Sequence, residues 1–146
     1  MIASLEYLGS VLQLAIAPMI LISGVGFVLS SLIDRYGRII DASRTFINIL
    51  RDEQHNSRHT QLKKELNVFL KRTKLVKFSI GFSVLSLLFI SILVLILFFM
   101  ALLSIDLLYV SVFLFVISLS TFIISLIFFM FDVNLSLKAL ELETEG

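Results

Sequence analysis

The densest grouping of ionisable side chains in the sequence is Asp34-Arg35-Tyr36-Gly37-Arg38-Ile39-Ile40-Asp41-Ala42-Ser43-Arg44. On a helix turning ~100° per residue, Asp34, Arg38 and Asp41 fall on one face as an acid-base-acid ladder at i, i+4 and i+7, with Arg35 and Arg44 beside them. Such a ladder is either a stripe of interfacial ion pairs or, where several copies meet, an ion-coordinating ring. A second stripe precedes it in an otherwise apolar stretch: Gln13, Ser23, Gly26 and Ser30, continued backwards by Gly9. Small residues let helices approach closely and an amide bonds across a helix interface, whereas the same side chains facing water would line a pore. Pro18 lies within this stretch, removes one backbone hydrogen bond and is expected to kink the helix.

Other chemistry is sparse. His55 and His59 stand four apart with Asp52 in reach, a spacing that holds a metal ion from one helical turn. Two imidazoles in a polar turn are more often solvated, so no metal site is assigned. The chain has no cysteine, no Ser/His/Asp grouping and no glycine-rich phosphate loop; Gly24-Val25-Gly26 lies inside an apolar run and lacks the rest of a nucleotide fingerprint. No catalytic residue, cofactor or small-molecule substrate is expected, and an enzyme is the least supported class.

The elements that carry these residues follow from composition. The 146 residues are 58% hydrophobic and 16% charged, with a mean hydropathy of +1.03. A soluble domain runs nearer half apolar and a quarter charged, and here the apolar residues gather into three long runs around one polar block. Residues 8–33, 78–104 and 107–131 predict three transmembrane helices, because lipid offers the backbone no partners and these runs lack the alternation of barrel strands. The first run is preceded by Glu6 without a Lys or Arg and is twice the length of a signal core, so it is expected to remain as a helix. In the third run Ser111, Ser118, Ser125 and Asp132 recur every seven residues beside Phe115, Phe122 and Phe129. That pattern predicts a seam of small residues against the other spans, for which Ser79, Ser83 and Ser86 supply a matching face.

Residues 34–77 hold 11 of the 12 Lys and Arg against five acids, a net +6, and the rest of the chain sums to −5. The basic block is therefore expected in the cytoplasm, the N-terminus and the turn at Ser104 to Asp106 outside, and the acidic tail 132–146 inside. Ile39, Ile40, Phe46, Ile47 and Leu50, then Leu62, Leu66, Phe69, Thr73 and Val76, recur at helical spacing. They predict a helical hairpin over 34–77 with its turn near Asn56-Ser57, projecting from the bilayer or lying on anionic lipid. The topology rule accounts for the basic residues without nucleic acid.

Leu12-Gln13-Leu14-Ala15-Ile16-Ala17-Pro18 with Ser23-Gly24, then Asp34-Arg35-Tyr36-Gly37-Arg38-Ile39-Ile40-Asp41 with Arg44, then Leu70-Lys71-Arg72, resemble the bacterial membrane proteins grouped as domain of unknown function 2721. The resemblance covers almost the whole chain and implies three spans with a polar loop after the first. The family pattern usually carries Asn where this chain has Asp34. It implies no activity. The expectation is an all-α integral membrane protein of three spans in a bacterial inner membrane. A three-helix unit has little interior for the stripe of its first span, so a homo-oligomeric structural or regulatory module is expected, with a small homo-oligomeric ion channel lined by the first span as the alternative.

Overall fold

A computed structural model of the protein describes residues 2–52, 59–103 and 105–144. They form three helices: α1 (Ile2–Asp52), α2 (His59–Leu103) and α3 (Leu108–Thr144). Each is long and apolar enough to cross a membrane. α1 passes through Pro18 and on past Ile33 without interruption. No second proline stands in its polar half, and a continuous helix keeps every other backbone group paired. The Leu108 N–H donates to Asp106 Oδ1 at 3.2 Å, an Asx contact that starts α3. The expected turn at Asn56-Ser57, together with His55 and Ser104, lies outside the described residues.

The buried positions reveal how the helices recognise one another. Along α2 they are Val76, Ser79, Ser83, Ser86, Ile90, Leu93, Leu97 and Met100, alternating steps of three and four. Along α3 they include Ser111, Ser118, Ser125 and Asp132, and along α1 Pro18, Val25, Leu32 and Ile39, both in steps of seven. A 3.5-residue period keeps one stripe of each helix against its neighbours.

The helices contribute stretches to two compact units, 1–29 with 81–124 and 30–80 with 125–146. In the first, Ala15, Leu93, Leu97 and Met100 form an apolar core joined by Ile96, Leu114 and Phe115. There the Ser86 hydroxyl donates to the Ser118 carbonyl at 2.8 Å. In the second, Ser79 and Ser125 each donate to the other's carbonyl, at 2.8 and 2.7 Å, with their hydroxyl oxygens 3.1 Å apart. Small side chains at these layers let two backbones come within reach of one hydroxyl. The ring centroids of Phe46 and Phe69 lie 5.1 Å apart and those of Phe78 and Phe128 5.9 Å apart, so aromatic pairs fill the flanks of this unit.

Candidate functional site

The second unit holds the one described carboxylate that is fully buried, Asp132. Its place follows from the seam of α3: it stands seven residues after Ser125, and that period carries it to the inner face. A charge there needs partners, and two other helices supply them. On α1, Arg35 lies three residues after buried Leu32 and four before buried Ile39, at the edge of the packed stripe. On α2, Arg72 lies four residues before buried Val76.

Arg35 Nε is 2.8 Å from Asp132 Oδ2, and Arg72 Nε is 3.4 Å from Oδ1. The two oxygens are not held alike. Oδ1 accepts a hydrogen bond from Arg72, whereas Oδ2 makes a close ion pair with Arg35 without hydrogen-bond geometry and accepts no hydrogen bond among the described residues. Both guanidiniums are mostly shielded, with side-chain exposures of 24% for Arg35 and 15% for Arg72 against 0% for Asp132. Each also meets an aromatic face: Arg35 Cζ is 5.4 Å from the centroid of Phe129, and Arg72 Cζ is 5.9 Å from that of Phe69. Ring quadrupoles attract cations, so the rings stabilise what one carboxylate only half neutralises. Three helices are thereby tied at a single acid.

The expected ladder of Asp34, Arg38 and Asp41 does not form: no ion pair joins Arg38 to either acid, and all three are exposed. Taking Leu32 and Ile39 as the inward direction, ~100° per residue carries Asp34 and Asp41 roughly to the opposite side of α1. Arg35, which the ladder left out, is the member that engages. Arg44 is exposed and stands outside the cluster. Of the first-span stripe, Gln13, Ser23 and Ser30 are exposed and Gly26 is half-buried, and a methyl group at Gly9, Gly24 or Gly26 would meet nothing within 4 Å. Within the chain α1 packs instead through Ala15, Pro18, Val25, Leu32 and Ile39. Ser23 satisfies its own hydroxyl on the Met19 carbonyl at 3.4 Å. The serine seams of α2 and α3, by contrast, do meet. Asp132, Arg72 and Phe129 are the residues that reading for sites passed over; a charge on the heptad of a small-residue seam was the available signal.

A cavity of about 290 Å³ opens beside the cluster, lined by Arg35, Arg38, Ile39, Ala42, Phe69 and Arg72. Among the described residues no group of three His, Cys, Asp or Glu side chains could hold a metal ion.

A family model described as protein of unknown function (DUF2721) matches residues 15–142, a span that takes in most of all three helices. No curated protein and no solved structure matches the chain.

Proposed function

The chain belongs to the DUF2721 family, and on that premise we propose that it is a multi-pass membrane protein acting as a homo-oligomeric structural or regulatory module. Support for the membrane comes from an inverted distribution of polarity. Ser79, Ser83, Ser86, Ser118, Ser125 and Asp132 are fully buried, while Phe27 is 79% and Phe113 66% exposed. Small polar residues between helices and large apolar ones outside suit a solvent of hydrocarbon. The positive block 34–77 then faces the cytoplasm of a bacterial inner membrane, with the N-terminus outside. The native chain has no cysteine, so single cysteines at Ser4, Ser57, Asp106 and Thr144 report sidedness without background. A reagent confined to the outside is expected to label positions 4 and 106, and labelling of 57 would reverse the orientation.

The observation that carries assembly is Gln13. It is exposed within the apolar half of α1 and has no hydrogen bond among the described residues. An amide facing lipid without partners is costly, and a second copy of the same helix offers the same amide. Association through this face makes use of the open surface at Gly9 and Gly24 as well. Gln13→Leu is expected to weaken self-association about threefold, the weight of ~0.6 kcal/mol for an interhelical hydrogen bond in a membrane. Dissociation measured by energy transfer between labelled copies in liposomes tests this, and an unchanged constant would remove Gln13 from the interface. Ion flux through wild-type liposomes that Ser23→Leu abolishes while the oligomer persists would replace the scaffold with the channel.

A further inference from the structure

Two arginines share one carboxylate, and that leaves cationic capacity unused. Arg35 and Arg72 both turn Nε toward Asp132. Each guanidinium carries four further N–H donors on its two Nη atoms. The hydrogen bond from Arg72 and the ion-pair distances of both arginines run through Nε rather than Nη. Both side chains line the 290 Å³ cavity, where Arg38, one turn along α1 from Arg35, adds a third guanidinium. No acid is among the residues that line the cavity, although Asp34 and Asp41 share the exposed face of Arg38 and Asp132 pairs with Arg35 and Arg72. Ala42 keeps one wall short, and Ile39 and Phe69 make the others apolar. Three planar forks, two of them sharing a single carboxylate, around room for a tetrahedral anion and its waters, match a phosphate group, which guanidinium recognises bidentately.

We infer that this cavity is a binding site for a phosphate-bearing anion, held by Arg38 and the Nη groups of Arg35 and Arg72. Asp132 is the positioning residue: it fixes two of the forks and leaves a surplus of positive charge for the ligand. Arg35 and Arg38 follow directly on the apolar run that ends at Ile33, and Arg72 precedes the one that begins at Phe78. Under the membrane-spanning reading, on which only the choice of source rests, the cavity sits at headgroup level, where the phosphate of an anionic lipid is the abundant form of this chemistry. A free phosphate ion offers the same contacts.

The full-length protein in neutral detergent, followed by its thermal unfolding midpoint, separates the sources. In one arm it is titrated with phosphatidylglycerol against phosphatidylcholine, and in the other with inorganic phosphate at constant ionic strength. Phosphatidylglycerol is expected to raise the midpoint and phosphatidylcholine to leave it unchanged. Arg38→Gln is expected to weaken the apparent affinity about tenfold, the weight of one charged hydrogen-bonded contact. It should leave the midpoint without ligand unchanged, because Arg38 is exposed and outside the Asp132 cluster. Arg44→Gln removes an equal charge outside the cavity and is expected to bind as the wild type does. A response to inorganic phosphate with the same dependence on Arg38 assigns the site to a free anion. No response to either probe, or equal losses in the Arg38 and Arg44 variants, would overturn the site in favour of diffuse attraction by the basic segment. Persistence of the Arg38 effect alongside failed sidedness labelling would strike the spanning reading and leave the site.

Discussion

Replacing Asp132 by alanine is expected to cost about 3 to 5 kcal/mol of folded-state stability, the range for removing one partner of a buried ion pair. The carboxylate is wholly buried and is the sole ion-pair partner, among the described residues, of both Arg35 and Arg72. Without it two shielded cations face each other, and the cost is their repulsion and lost solvation more than the contact itself. Asp132→Asn keeps the volume and one acceptor, so its loss should be smaller. A triple exchange of Arg35→Met, Arg72→Met and Asp132→Leu should return most of the stability, because a well-packed apolar replacement of a buried charge cluster is often neutral or better. Reversible unfolding of the purified protein in mixed micelles measures all three. A loss under ~1 kcal/mol for Asp132→Ala would mean that the arginines are held by something else.

The next largest effect belongs to Ser125. Its hydroxyl and that of Ser79 reach across to each other's carbonyl, so the two backbones stand too close for a longer side chain. Ser125→Leu is expected to cost about 2 to 4 kcal/mol, an overpacking term of ~1–3 together with lost bonds of ~0.6 each. Ser125→Ala gives up the bonds and keeps the space, and should cost only ~0.6–1 kcal/mol. Ser91 is the control: it is exposed, bonds to its own Leu87 carbonyl at 2.8 Å, and should accept leucine within ~0.5 kcal/mol. If Ser125→Leu were no more harmful than Ser91→Leu, close approach at this layer would not be what holds α2 to α3.

Much of this architecture was legible as spacing. Ser111, Ser118, Ser125 and Asp132 form a heptad in the sequence and a buried stripe in the fold, and Ser79, Ser83 and Ser86 face the same interior. The first helix was not legible by the same rule. Its polar residues Gln13, Ser23 and Ser30 are exposed, and its inward face is Ala15, Pro18, Val25, Leu32 and Ile39. In a chain whose outer surface is as apolar as its core, hydrophobicity does not distinguish inside from outside, and small polar residues serve both as packing spacers and as outward groups. The partner that the charge cluster meets was hidden for a different reason. Helical periodicity reports partners three or four residues away, so it offered Arg38 to Asp34 and Asp41. The acid that matters stands on another helix, sixty residues beyond Arg72, and no local pattern links the two.

The order of these charges along the chain sets a schedule for biosynthesis. Arg72 is made sixty residues ahead of Asp132, and Arg35 earlier still. At ~5–20 residues per second the ribosome takes roughly 3 to 12 s to supply the missing acid after Arg72 has appeared. Throughout that interval Arg35 and Arg72 lack the one ion-pair partner that they have among the described residues. α3 therefore brings the neutralising group with it, and a chain that stops short of Asp132 lacks the carboxylate that ties the three helices together.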